Sequence, residues 1–253
     1  MRRLLSCLFL LLAVPVAAQD EGIVAGLSQN RVAIDATFVG SEILVFGAVK
    51  RETPIPEGEL GVIVVIEGPS GPVTVRRKER IAGIWVNSDS VVVNDAPAFY
   101  AIATSGPFDD VLNEEANKAR LVSIDESVWI MDRADRDDEK AFADAVIRIR
   151  EEEGLYSLAE ETVLLAEETL FSTAVTLPSN LVEGLYSARI YLTREGNVVS
   201  DHISYVSVHK VGLERWIYNL AHDLPLVYGL LSLAIAIAAG YLASTAFRLF
   251  SRG

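Results

Sequence analysis

Hydrophobic and polar positions along this chain follow a period of two over most of its length, and each break in that period marks a change of element. In residues 31–49, RVAIDATFVGSEILVFGAV, Val32, Ile34, Ala36 and Phe38 alternate with Arg31, Ala33, Asp35 and Thr37. That pattern predicts a half-buried strand and, after Gly40-Ser41, a second one. The Pro/Gly/Glu stretch RETPIPEGE, 51–59, predicts a loop. LGVIVVIEG, 60–68, is continuously apolar and β-branched, as a central strand covered on both faces requires. Gly68-Pro69-Ser70-Gly71-Pro72 predicts a turn, and short strands follow at Ile84–Val86, Val91–Val93 and Phe99–Ile102.

The period then changes. Pro107–Leu121 reads as a helix with Ser105 or Gly106 near its N-cap and Val111 among its apolar anchors. DRDDEKAFADAVIRIREEEG, 135–154, predicts a clearer one: Asp137, Asp138 and Glu139 favour its dipole-positive start, Phe142, Val146 and Ile149 repeat at helical spacing, and Gly154 follows its end. Strand patterning returns at Thr162–Leu165, Leu170–Leu177, Leu185–Thr193 and His202–Val208, with Glu195-Gly196-Asn197 as a turn. Strands on both sides of a helical stretch, with no linker between, predict a mainly β, Ig-like sandwich over 19–209 with a helical insertion at about 105–154.

Both ends depart from this texture. Arg2 and Arg3, the apolar run Leu4–Val14 and the small residues Val16-Ala17-Ala18 have the layout of a signal peptide over 1–18. Residues 210–223 predict a juxtamembrane helix carrying Trp216 and Leu220. LPLVYGLLSLAIAIAAGYLASTAF, 224–247, holds no charge, and as a helix of about 36 Å it is long enough to cross a bilayer. Asp223 is placed to cap it, with Pro225 in its first turn. A translocated N-terminus and one stop-transfer helix predict a type I protein of the inner membrane, with a periplasmic head and a cytoplasmic tail at 248–253. Trp216, Tyr218 and Tyr228 fit the outer interface.

Composition changes this picture in two ways. Cys7 is the one cysteine, so cleavage would leave no thiol for disulfides, nucleophilic catalysis or metal binding. All 35 Asp and Glu but only 18 of the 22 Lys and Arg lie in 19–223, a net charge of −17 that argues against nucleic acid and against lying flat on anionic lipid. The basic cluster of VTVRRKERIAGIWVN, 73–87, stands out against that acidity. On a strand, Arg76, Lys78 and Arg80 share one face with Thr74, while Val73, Val75, Arg77 and Glu79 share the other. The ladder reads either as the solvated face of an edge strand or as a site for an anion or acidic partner, with Trp85 as a platform.

Other chemistry finds little support. The acidic run from Asp132 to Glu139 lacks the spacing of a calcium loop and serves a helix start. His202, His209 and His222 have no metal-ligand spacing, and nucleophile elbows, phosphate loops and dinucleotide fingerprints are absent from the sequence. The expectation is therefore no catalytic residues, no metal and no cofactor. In the apolar span, Ser232, Ala236, Gly240 and Ser244 recur every fourth residue, a ridge that allows close helix approach to a partner or to a second copy.

The stretches RVAIDATFVGSEILVFGAV, VVIEGPSGPVTVRRKERIAGIWVN, LFSTAVTLPSNLVEGLYSARIYLTREG and VGLERWIYNLAHDLPLVYG resemble the putative transmembrane protein family of alphaproteobacteria, over essentially the whole chain. The resemblance implies an exported single-span protein and carries over no catalytic or ligand residues. It further implies an accessory role beside an exporter of the sulfite/sulfonate type. The expected function is thus a membrane-anchored periplasmic interaction or accessory protein, partnering an envelope protein such as a multi-span transporter. The alternative is an anion- or ligand-binding module using Arg76, Lys78 and Arg80.

Overall fold

The computed structural model describes residues 21–35, 37–128 and 136–250, so the leader at 1–18, Ala36 and the tail beyond 250 lie outside the described residues. In chain order the first strands are β1 (Gly22–Leu27), β2 (Arg31–Ile34), β3 (Ser41–Lys50), β4 (Leu60–Glu67), β5 (Ser70–Ile81), β6 (Ile84–Pro97) and β7 (Tyr100–Thr104). Four helices follow: α1 (Phe108–Val111), α2 (Glu114–Arg120), α3 (Ile124–Ser127) and α4 (Arg136–Glu152). The chain continues through β8 (Tyr156–Ala159), β9 (Leu164–Ala166), β10 (Leu170–Leu177), β11 (Gly184–Arg194) and β12 (Asn197–Lys210) to α5 (Leu213–Asp223) and α6 (Pro225–Phe250).

Alternation sorts these strands into two layers. One sheet runs β1-β3-β10-β9 and the other β2-β12-β11-β4-β7-β8. Ile43, Val45 and Phe171 of the first sheet are buried in one core with Val62, Val64, Ile190 and Val206 of the second. β4 sits between β11 and β7 and is buried on both faces, as its unbroken apolar run predicts. The order matches the Ig pattern, with a four-stranded sheet facing one built around β12, β11 and β4. Tyr186 adds a second sign of it: near the start of β11, its buried phenol donates to the carbonyl of Val182 at 2.8 Å, the tyrosine-corner contact of such sandwiches. The fold is mainly β, with a helical segment between β7 and β8 and one long apolar helix at its C-terminal end.

Local differences from the sequence reading have local causes. Residues 107–121 form two helices, because Asn113 turns out of α1 and caps α2, its side chain accepting from the Ala116 amide at 2.8 Å. Pro107, not Ser105 or Gly106, occupies the N-cap of α1. In α4, Phe142, Val146 and Ile147 are buried while Ile149 is 43% exposed, because the stripe facing the sheet advances by i+4 and i+5. Gly154 follows α4 with φ +69°, as the stop signal requires. Asp223 closes α5 and does not cap α6; Leu224 separates the two helices. Glu195 and Gly196 both take positive φ and form a two-residue turn between β11 and β12, so Asn197, read as part of the turn, already begins β12.

Candidate functional site: a basic hairpin arm

β4 and β7 pair antiparallel up to Glu67↔Tyr100, and β5 and β6 resume the ladder at Ser70↔Pro97. Between them the Gly68 amide donates to the Phe99 carbonyl and the Ala98 amide to the Pro69 carbonyl. Gly68–Pro72 is therefore a crossing point within one continuous ribbon, not the turn its composition predicts. The separate strands predicted at Ile84–Val86 and Val91–Val93 are likewise one strand, β6. β6 has 14 residues against 12 in β5, and the register shifts between Gly71 and Val73 and between Arg77 and Lys78 absorb the excess as bulges. The ribbon turns at Ala82 (φ 49°) and Gly83 (φ 88°), a two-residue hairpin in which only the glycine adopts its angle without steric cost.

Register fixes the faces of this arm. Residues opposite each other point the same way, so Arg76↔Ser90, Lys78↔Asn87 and Arg80↔Trp85 form one face. The structure thus brings Arg76, Lys78, Arg80 and Trp85 together, and that face carries no carboxylate between Thr74 and Arg80 or between Trp85 and Val92. All four side chains are exposed, Trp85 at 68%. Arg76, Lys78 and Arg80 form no ion pair among the described residues. The opposite face carries Val73, Val75, Arg77 and Glu79, as alternation predicts. α4 packs against that side, with the Arg77 guanidinium 4.7 Å from the centre of the Phe142 ring. The ladder is therefore an open ribbon face, not the wall of a concave pocket.

The polar chemistry that is buried lies elsewhere, in two networks that sequence reading missed. Glu67, the charged residue ending the apolar run of β4, pairs with Arg189 at 3.1 Å, and Arg189 donates to the Tyr100 phenol at 2.8 Å. Tyr100 in turn donates to the Val122 carbonyl at 3.0 Å, which ties the root of the arm to the turn after α2. Burial pushes the Glu67 carboxyl above its ordinary range, against the pull of Arg189, and pushes the Tyr100 phenol up as well. The Arg189 Nε is buried without a partner among the described residues. Glu21 forms the second network: it accepts from Arg194 at 2.9 Å and 3.0 Å and from Arg51 at 2.6 Å, with all three side chains nearly covered. The Arg194 bonds hold the Glu21 carboxyl below its usual range, with Arg51 adding to them against the opposing cost of burial. Both networks clamp strands.

A cleft of about 370 Å³ lies between the helices and β7–β8, lined by Ile102, Phe108, Asn117, Ser123, Ile147 and Glu151. Its Asn117 and Ser123 side chains are engaged with each other and with backbone, as caps of the α2–α3 connection. Among the described residues no three His, Cys, Asp or Glu side chains gather as a metal site. Ser232, Ala236, Gly240 and Ser244 lie on α6, whose apolar stretch Pro225–Thr245 is exposed throughout. Ser232 donates to the Tyr228 carbonyl at 2.8 Å within the helix, so its hydroxyl adds no free donor to the ridge.

Comparison with protein families matches residues 22–249 to the family described as Putative transmembrane protein (Alph_Pro_TM). Comparison with curated proteins finds no match.

Proposed function

The chain belongs to this transmembrane protein family, and from that premise we propose that it is a membrane-anchored periplasmic interaction module serving a partner in the inner membrane. The partner is an integral envelope protein, such as a multi-span transporter, engaged through the small-residue ridge of α6. One observation carries this reading: a helix long enough to span is exposed along its whole apolar length, and nothing else in the described chain packs against its ridge. In lipid, such a ridge gains its packing only from another helix. In this reading a translocated leader followed by one span orients the β-rich head to the periplasm.

The test is a crosslinking pull-down of the full-length protein from native membranes, read by mass spectrometry. A methyl group added at Gly240 meets nothing within the chain, so Ala236→Leu/Gly240→Leu leaves the protein's own packing intact. The partner recovered with the wild type is lost from this variant; equal recovery from both overturns the ridge reading. A second reading is favoured by the gathering of Arg76, Lys78, Arg80 and Trp85 on one face. In that reading the arm takes an anionic group. A charge-reversed Arg76→Glu/Arg80→Glu protein that still rescues a deletion strain in full would dispose of it.

A further inference from the structure

The direction of the arm follows from strand pairing alone. β11 is antiparallel to both β4 and β12, so β4 and β12 run the same way. Ser187 of β11 faces Glu67 on one side and Tyr205 on the other. Beyond that level β12 continues five residues to Lys210 and leads into α5 and α6, while β4 continues into the arm. The arm therefore leaves the sandwich at the end from which the chain departs for the membrane.

Lengths decide how far it gets. At the ordinary strand rise, the tip at Ile81–Ile84 lies about 30 Å past the level at which β12 ends. The connection from β12 to α6 is Val211-Gly212, the 11-residue α5 and Leu224, which spans about 25 Å even when fully upright. Leu213, Trp216, Ile217 and Leu220 recur at helical spacing along α5, an amphipathic stripe suited to lying in the interface, which brings the head closer still. The arm is longer than the gap it has to cross.

Its chemistry matches what lies there. Ile81, Ile84 and Trp85 at the tip are 53%, 65% and 68% exposed, a cost in water for the outermost part of a two-stranded ribbon that has no third strand. Behind the tip stand Arg80, Lys78 and Arg76 in that order, on a face without carboxylates. Isoleucine and tryptophan at the leading edge, with cations one, three and five residue pairs behind Ile81↔Ile84, is the arrangement of a segment that dips into the acyl boundary and sets its charges among phosphates. A head of net charge −17 is otherwise repelled by an anionic surface, so attraction is confined to this ladder.

We propose that the β5–β6 arm is a second membrane contact: its Ile81/Ile84/Trp85 tip enters the interface of the bilayer that holds α6, and Arg76, Lys78 and Arg80 bind the phosphates of anionic lipid there. This rests on the membrane-anchored reading above and gives the anion of the second reading a source.

The experiment uses the full chain in vesicles of phosphatidylglycerol and phosphatidylethanolamine, with Trp129→Phe and Trp216→Phe leaving Trp85 as the reporter. Either orientation of the protein meets the same lipid. Trp85 emission shifts to the blue and is quenched by shallow doxyl-labelled lipid. Each charge removed, as in Arg76→Gln or Arg80→Gln, lowers the docked-to-free ratio about fivefold, and replacing phosphatidylglycerol by phosphatidylcholine has the same sense. Ile81→Ser/Ile84→Ser lowers the quenching with every cation in place. Arg76, Arg80, Ile81 and Ile84 are exposed, and an unchanged urea midpoint confirms that each variant is folded. Trp85 that stays in water, equally in both lipid mixtures, overturns the proposal. So does a Trp85 response to inorganic phosphate in detergent that vesicles do not enhance, which makes the ladder a free-anion site. So does a Trp85 that stays in water in vesicles yet crosslinks to a protein in native membranes. Alkaline carbonate keeps the two readings apart: a chain retained in the pellet with Trp85 unquenched loses the arm contact only, and a chain released into the supernatant loses the anchor itself.

Discussion

β4–β7 and β5–β6 are two lengths of one ribbon, yet they live in opposite solvents. Ile63, Val64 and Ile66 at the root are fully buried between flanking strands and under a second sheet, while Arg76 to Arg80 at the far end face water. Both halves are antiparallel ladders, so strand pairing alone does not make a region stable. Burial does. The root carries the apolar area that holds the head together, and the outer arm borrows its order from the root, from α4 on one side and from a tight turn. A segment placed so far from the core is shaped for contact more than for folding.

The comparison breaks most visibly at the root. Ile63→Ala removes a fully buried side chain between two paired strands and lowers unfolding free energy by about 3–4 kcal/mol, seen as a fall in the urea midpoint. A comparable truncation in the outer arm, such as Ile84→Ala, stays within about 0.5 kcal/mol.

Next in size is Glu21→Gln. It takes the carboxylate from buried Arg51 and leaves Arg194 with Glu168 alone, and costs about 3 kcal/mol at neutral pH. The folded state holds this carboxyl below its ordinary value near 4.5, so the stabilisation is present above that value and is lost as pH falls through the lower folded one. Wild type and variant therefore converge in acid; a gap that stayed constant from pH 7 to pH 3 would assign the effect to packing instead.

The smallest change sharpens the distal end. Ala82 holds φ 49° before Gly83, and Ala82→Asn suits that left-handed position better. It stabilises the arm locally by about 0.5 kcal/mol, read as slower hydrogen exchange of the Arg80 and Ile84 amides with the global midpoint unchanged.

Much of this architecture is legible in the residues. The unbroken apolar run of β4, the alternation of β10 to β12, the helix of 135–154 and the uncharged span each announce themselves, because a single periodic signal specifies them. The shared face of Arg76, Lys78 and Arg80 follows from a period of two, and Trp85 joins them through the register of one hairpin. What escapes is set by distance along the chain. Glu21 and Arg194 meet across 173 residues, and Glu67 meets Arg189 only because β4 and β11 are neighbours. The edge strands β1 and β8 escape for another reason: GIVAGL carries two glycines and YSLA is four residues long, so neither holds enough pattern to be seen.

The closure of the head also has an order in time. β1 pairs with nearby β3, but β2 lies against β12 in parallel and Glu21 waits for Arg194, so these two N-terminal contacts form only after nearly all of the head has been made. Two residues after β12 the chain enters α5, and α6 follows at Pro225. In the exported topology proposed above, α6 follows the last strand into the export machinery as the stop-transfer helix. Under that proposal the head completes itself while tethered at the membrane surface, with its long ribbon already made before the last strands close the sandwich.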